Sequence, residues 1–309
     1  MQELYDAVRA EVGKVVVGQD GMVATALAAV ALGGHVLLEG PPGVAKTLLA
    51  RALAKALGLD FRRVQFTPDM LPSDLTGNVA LRGEELVFRR GPVFTNVLLA
   101  DEVNRTPPKT QAALLEAMQE QQVSVEGRAE PLPDPFVVLA TQNPIEYEGT
   151  YALPEAQLDR FLVKLDVGYP DEDAELRMLG LDRRGVSAGD LDEVRPVASA
   201  EAIFAARAAV DQTRTEDNVA RYVLAVVRRT RELPSVRLGA SPRAAVHLLG
   251  AARAAARLAD RDYVTPDDVS RMAVPVLAHR LVLAPEAELE RYHAADAIRT
   301  ALSEVPVPR

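Results

Sequence analysis

The sequence predicts an α/β fold, in which a parallel sheet is flanked by helices, followed by a smaller all-α domain. Short, almost continuous apolar runs alternate with segments of helical periodicity such as 47–57 and 110–120. Continuous apolar strands are typical of a sheet buried on both faces, and their alternation with helices is typical of α/β proteins. After Pro170 the chain is rich in Ala, Arg, Leu and Glu, in helix-like segments without a strong strand pattern. We therefore expect an α/β domain in residues 1–169 and a helical domain in residues 170–309.

The individual elements follow from the same patterns. The predicted strands are the apolar runs at 35–39, 61–67, 97–101, 136–141 and 161–166. The predicted helices of the second domain are 173–181, 201–207, 218–230, 242–258 and 266–280. The last of these has a strong start signal, because Thr265 can cap it and Pro266 suits its first turn. Two segments, 74–96 and 121–135, have hairpin-like patterns and are predicted to project from the sheet.

Composition excludes several kinds of site. The chain has no cysteine, which excludes disulfides, thiolate zinc sites and cysteine nucleophiles. Its histidines are scattered without the spacing of metal ligands, at positions His35, His247, His279 and His293. The net charge of −9 disfavours nucleic acid or an anionic membrane as a partner of the whole molecule.

The N-terminal region does not resemble a secretion signal. It lacks a basic stretch followed by an apolar run. The most apolar stretch, residues 22–38, is too short for a membrane span and is interrupted by Gly33-Gly34. We therefore expect a cytoplasmic protein without a membrane span.

The strongest functional signal is GPPGVAKT at residues 40–47, between a predicted strand and a predicted helix. This spacing lets a loop surround phosphates with backbone N–H groups, with the positive end of the helix dipole behind them. Lys46 is expected to contact the β- and γ-phosphates of a nucleotide, and Thr47 to bind Mg²⁺. Ala45 stands where a second glycine is usual, and we expect a helical φ there that tolerates the methyl group.

A second signal is the acidic pair that ends the apolar run 97–101. Asp101 is expected at the carboxyl edge of its strand, beside the phosphate loop, where it can bind Mg²⁺ through water. Glu102 can then polarise the attacking water molecule. The two signals together predict ATP hydrolysis.

These motifs, together with the sequences around them, resemble the MoxR family of AAA+ ATPases. The resemblance is densest in LLADEVNRTPPKTQAALLEAMQEQQVSVEG and LATQNPIEYEGTYALPEAQLDRF, and it covers nearly the whole chain. Alanine before Lys46 is also similar to that family. The two hairpin-like segments, 74–96 and 121–135, then correspond to the family's helix-2 insert and pre-sensor-1 hairpin.

The resemblance implies roles for further residues. Asn143 corresponds to sensor 1, which orients the attacking water, and Arg160 to the arginine finger that reaches a neighbouring subunit's ATP. Arg243 corresponds to the sensor 2 arginine at the start of a lid helix, and Val17-Gly18-Gln19 to the segment near the adenine base. The loop residues expected to hold the nucleotide are Gly40, Pro41, Pro42, Gly43, Val44, Ala45, Lys46, Thr47 and Leu48.

The resemblance also implies partners. MoxR-like ATPases form rings, expected here to be hexameric, and are associated with proteins that carry a von Willebrand factor A domain. They remodel, activate or mature client proteins, in some cases with metal insertion. The cofactors implied are ATP and Mg²⁺.

Three alternatives stay open at this point. A nucleic-acid motor could use the same core, although the acidic balance and the lack of an aromatic-basic platform disfavour it. A magnesium-chelatase-like subunit is disfavoured because Leu153-Pro154-Glu155 stands where that group has Glu-Leu-Arg. A scaffold that binds ATP but barely hydrolyses it is disfavoured by the presence of Glu102 and Arg160.

Overall fold

The structure is a computed structural model that describes residues 1–83, 85–125, 127–143, 151–180 and 191–308. Within these ranges it contains thirteen α-helices, eleven strands and two short 3₁₀-helices, Val103–Arg105 and Ala278–Arg280. The helices are α1 (Gln2–Val12), α2 (Asp20–Ala31), α3 (Lys46–Ala56), α4 (Pro72–Thr76), α5 (Pro108–Glu120), α6 (Glu155–Leu158), α7 (Glu172–Gly180), α8 (Ala200–Asp211), α9 (Asp217–Arg229), α10 (Pro242–Leu258), α11 (Pro266–Leu277), α12 (Pro285–Leu289) and α13 (Ala294–Glu304). The strands are β1 (His35–Glu39), β2 (Phe61–Gln65), β3 (Gly77–Arg82), β4 (Glu85–Arg90), β5 (Val97–Asp101), β6 (Gln122–Val125), β7 (Arg128–Pro131), β8 (Val137–Gln142), β9 (Phe161–Asp166), β10 (Val236–Leu238) and β11 (Val282–Leu283).

The main sheet has five parallel strands in the order β2-β5-β8-β1-β9. This confirms the predicted fold class. Strands β1, β5 and β9 have the predicted bounds, β2 ends two residues earlier than predicted, and β8 is shifted by one residue towards the C-terminus. Since all five strands are parallel, their carboxyl ends meet at one edge, where ligand sites of open α/β sheets form.

The sheet is buried on both faces, which is why its strands are apolar at nearly every position. Successive residues of β1 show this directly. Val36 and Leu38 lie in a core cluster that includes Leu53 of α3, whereas Leu37 lies in a second cluster with Leu114 of α5. Replacing one of these leucines by alanine would cost about 2–5 kcal/mol of stability.

The segment after Pro170 is largely helical, as the sequence predicts. Helix α10 has the predicted bounds and packs against α2, α8, α9 and α11. The sequence analysis did not predict helices α12 and α13, nor the antiparallel pair of short strands β10 and β11. The first core cluster contains residues of both the sheet and α10, so the two predicted domains share apolar packing. The boundary at residue 170 stays a prediction.

Both hairpin-like segments contain an antiparallel strand pair. Strands β3 and β4 pair along their whole length, as do β6 and β7. Residues 84 and 126, which belong to the patterns predicted from the sequence, lie outside the described part of the chain. The two hairpins are joined by an ion pair between Arg90 and Glu130, with 3.7 Å between nitrogen and oxygen. Among the described helices, none is both long enough and apolar enough to cross a membrane.

Candidate functional site

The phosphate loop connects β1 directly to α3, and its backbone includes two left-handed residues. Gly43 has φ 84° and Ala45 has φ 62°. Glycine adopts this conformation freely, but an alanine in it is strained by about 1–2 kcal/mol. The expectation of a helical φ at Ala45 is therefore wrong. The loop keeps the backbone turn of the usual glycine, and the methyl group is accommodated at some cost in energy.

Lys46, the first residue of α3, folds back over the loop. Its ammonium group donates hydrogen bonds to the carbonyl oxygens of Gly40 and Pro41. Burial lowers the pKa of Lys46, although the nearby acids Asp101 and Glu102 act in the opposite direction. A phosphate group would offer this cation a stronger partner than the two neutral carbonyls.

Asp101 is the point at which three neighbouring elements meet at the carboxyl edge of the sheet. It is 7% exposed, and the Thr47 hydroxyl lies 3.3 Å from its Oδ2 atom. The Thr141 hydroxyl donates to its Oδ1 atom over 2.5 Å. Arg63 of β2 donates to Oδ2 from Nε at 2.9 Å and from Nη2 at 2.6 Å. Both carboxylate oxygens therefore have protein partners.

Glu102 follows with a left-handed backbone, at φ 57°. Its N–H donates to the Thr141 hydroxyl over 2.8 Å. Its carboxylate accepts a hydrogen bond from Gln65 Nε2 at 2.7 Å and pairs with Arg105 at 3.0 Å. The catalytic acid predicted from the sequence is thus held by side chains from β2 and from the 3₁₀-helix after β5.

These residues surround a cavity of about 530 Å³. Its wall includes residues 42–48 of the loop, both acids, Asn143 and Val17. The predicted nucleotide residues Gly18, Gly40 and Pro41 lie outside this wall. Tyr169 and Pro170 contribute from the segment after β9.

Arg160 and Arg243 lie elsewhere. Among the described residues, they line a second cavity of about 440 Å³ that has no wall residue in common with the first. His247 and Arg253 of α10 also belong to this wall. The structure therefore brings together Lys46 and the predicted acids, but it separates the two predicted arginines from them.

Among the wall residues that sequence reasoning missed, three contact the predicted acids, namely Arg63, Gln65 and Thr141. The signal that could have found two of them is the weak apolar character of β2, where Arg63 and Gln65 lie on either side of Val64. In the sheet register Gln65 is paired with Asp101, which places these side chains beside the acids.

The donor set fits a nucleotide with a magnesium ion. A hydroxyl and a carboxylate, from Thr47 and Asp101, are the oxygen ligands that Mg²⁺ prefers beside substrate phosphates. The left-handed loop in front of α3 and the partly buried Lys46 ammonium fit the phosphates. The arrangement can bind a nucleoside triphosphate and direct a polarised water molecule at it.

Comparisons with known proteins agree with this geometry. Residues 35–163 match the family described as ATPase family associated with various cellular activities (AAA), and residues 228–301 match the AAA lid domain. The uncharacterized protein YeaC of Bacillus subtilis (strain 168) is 48% identical over 96% of this chain and 92% of its own length. The chaperone MoxR1 of Mycobacterium tuberculosis is 44% identical over 97% of this chain and 81% of its own length.

A solved structure supports the same assignment. A crystal structure of a protein from Cytophaga hutchinsonii named as an ATPase has a TM-score of 0.91 and 42% identity, over 100% of this chain and 96% of that one. The similarity to these proteins extends over both the sheet and the helical segment. The chain is therefore an ATP hydrolase that belongs to the MoxR family of AAA+ ATPases.

Proposed function

We propose that this chain works in a ring of identical subunits, hexameric as in its family, that uses ATP hydrolysis to remodel or activate a partner protein. The observation that carries the proposal is the division of the site between two cavities. Lys46, Asp101 and Glu102 line one, and Arg160 and Arg243 line the other. A complete site then requires the second cavity of one subunit to meet the first cavity of the next.

In the first cavity, each residue has a distinct role in the proposal. The loop N–H groups and Lys46 bind the phosphates. The Glu102 carboxylate accepts a hydrogen bond from the attacking water molecule and so polarises it. Thr47 and Asp101 would hold Mg²⁺, which neutralises charge on the phosphates when it is bound. Asn143, which is 6% exposed in the cavity wall, orients the water molecule beside the γ-phosphate.

In the second cavity, the charge favours an anion. Arg160, Arg243 and Arg253 line it, against one carboxylate, that of Asp211. An excess of arginines in a partly enclosed space attracts phosphate groups, and a guanidinium stabilises charge that develops during phosphoryl transfer. We assign Arg160 and Arg243 to the nucleotide of the neighbouring subunit.

The partner-directed part of the proposal is supported by the name of one relative, which is a chaperone, and by the two hairpins. The hairpins carry charges of both signs that are paired with one another, as between Arg90 and Glu130. Such a surface is better suited to a protein than to the uniform negative charge of nucleic acid. We propose a von Willebrand factor A domain protein as the adaptor and maturation of a client enzyme, including metal insertion, as the outcome.

A mixing experiment tests the shared site. Arg160→Ala protein should bind ATP normally but lose most turnover, because the finger acts on the transition state. When it is mixed with Glu102→Gln protein, turnover should partly return, since some interfaces then combine an intact Glu102 with an intact Arg160.

The control is Arg299→Ala, which removes an exposed arginine of α13 that pairs with Asp296 in the same helix. It should keep parental turnover. Subunit exchange is verified by co-purification of differently tagged chains. If exchange occurs but turnover does not recover, the arginine acts within its own chain and the proposal fails.

A further inference from the structure

A buried arginine of the C-terminal segment contacts the residues on either side of Arg160. Arg280 ends the 3₁₀-helix Ala278–Arg280 after α11, and its side chain is 2% exposed. Its Nη2 atom donates to the carbonyl oxygen of Phe161 over 2.6 Å. Its Nε atom lies 3.2 Å from a carboxylate oxygen of Asp159. The segment that carries Arg160 is therefore fixed at both ends by one side chain.

The same guanidinium also reaches helix α10. Nη2 of Arg280 lies 2.7 Å from Nδ1 of His247. His247 follows Arg243 by four residues on α10, so the two side chains lie on the same face of that helix. Burial, together with Arg280 and Arg243, lowers the pKa of His247 to about 4, so its ring is neutral and Nδ1 can accept the hydrogen bond. Arg280 therefore links the surroundings of Arg160 to those of Arg243.

Burying the Arg280 guanidinium costs free energy of folding, and a link that only joined two parts of the fold would not need a charged group. Burial lowers the pKa of Arg280 to about 10, so the group stays charged at neutral pH. Among the described residues, its Nη1 and Nε atoms have no hydrogen-bond partner, so Nε contacts Asp159 as an ion pair alone. A buried charge with incomplete pairing is weak as a source of stability, and an apolar side chain can often fill such a position better. What the guanidinium provides, and an apolar group cannot, is a fixed geometry between three polar partners.

We infer that Arg280 is a positioning residue that holds Arg160 and Arg243 as one unit, so that both arginines reach the neighbouring subunit's nucleotide together. This inference rests on the proposed action of Arg160 between subunits. It also implies that a movement of α10 and α11 is transmitted to Arg160 through Asp159 and Phe161.

The test uses Arg280→Gln in the full-length protein. ATP affinity, measured with a fluorescent ATP analogue, should stay within about twofold of the parent, because the nucleotide binds in the first cavity. Turnover should fall roughly tenfold to a hundredfold, since a displacement of about 1 Å of a catalytic group costs that much.

Complementation distinguishes a positioning role from a general structural one. Arg280→Gln mixed with Glu102→Gln should regain turnover, because the second protein supplies a well-placed Arg160. Arg280→Gln mixed with Arg160→Ala should not, because both proteins then supply a defective finger. Recovery in this second mixture, or parental turnover of Arg280→Gln alone, would overturn the inference.

Two further variants complete the experiment. Arg261→Gln removes another ion pair of the C-terminal segment, with the fully buried Asp268 at the opposite end of α11, and should not lower turnover when folded. If Arg280→Gln fails to fold, Arg280→Lys carries the test, because it keeps the charge but lacks the planar fork whose separate nitrogens face Asp159 and His247. Failure of the proposed function is recognised separately, as an absence of recovery when Arg160→Ala is mixed with Glu102→Gln.

Discussion

The hydroxyl of Thr141 connects the two acids of the first cavity, and its removal gives a quantitative test of the site. It donates to Asp101 Oδ1 over 2.5 Å and accepts the N–H of Glu102 over 2.8 Å. Thr141 is 1% exposed, so water cannot replace either bond without a rearrangement. Valine has almost the same shape as threonine, and Thr141→Val therefore removes the hydroxyl without creating a cavity.

The magnitude follows from the two bonds. A hydrogen bond to a charged group contributes about 1.5–3 kcal/mol, and a buried N–H left without a partner costs about 1–3 kcal/mol. The two terms overlap, because the same atom makes both bonds. We expect the free energy of unfolding without nucleotide to fall by about 2–4 kcal/mol, measured by urea titration. Turnover should fall at least about tenfold, since both acids lose a fixed contact.

Thr106 provides a matched control. It is fully buried, and its hydroxyl has no hydrogen-bond partner among the described residues. Thr106→Val removes an unsatisfied polar group of the same size, so the free energy of unfolding should stay unchanged or rise by up to about 1–2 kcal/mol. Equal destabilisation by the two substitutions would refute the argument from the hydroxyl contacts.

Three further predictions concern the same cavity and its ligand. Lys46→Ala should lose most ATP affinity in a fluorescence titration, whereas Glu102→Gln should bind ATP as the parent does but hydrolyse it far more slowly; parental turnover of Glu102→Gln would contradict its assigned role. Arg63→Gln should reduce the Mg²⁺ concentration needed for half-maximal nucleotide binding by about twofold to fivefold, because it removes a half-exposed ion pair that occupies Asp101 and contributes little free energy. An unchanged Mg²⁺ requirement would show that Arg63 does not compete with the ion. DNA, single- or double-stranded, should bind weakly at moderate salt and leave turnover unchanged; strong stimulation at two salt concentrations would instead favour a nucleic-acid motor.

Features set by local sequence could be predicted, because their signals lie within a few consecutive residues. The apolar runs that form β1, β5 and β9 gave their bounds without error, since each is buried on both faces and ends at a polar residue. The start of α11 was equally clear, because Thr265 and Asp268 form a reciprocal cap. The phosphate loop was found for the same reason.

Features set by the meeting of distant segments could not be predicted. Arg63, Gln65 and Thr141 contact the acids only because β2, β5 and β8 are neighbours in the sheet, in one particular register. Strands β10 and β11 contain three and two residues, too few to show the alternation by which strands are recognised. The left-handed backbone of Ala45 is a case in which the loop as a whole overrides the preference of one residue.

The contacts of the acids also bear on when hydrolysis can occur. Both carboxylates of the first cavity have protein partners: Asp101 is paired with Arg63, and Glu102 with Gln65 and Arg105. A water molecule can be polarised by Glu102 only if that carboxylate is at least partly released. On the proposed arrangement, the arginines that stabilise the transition state come from the next subunit. If the proposal holds, an isolated subunit would bind ATP with its acids still engaged, and its turnover would depend on assembly into the proposed ring.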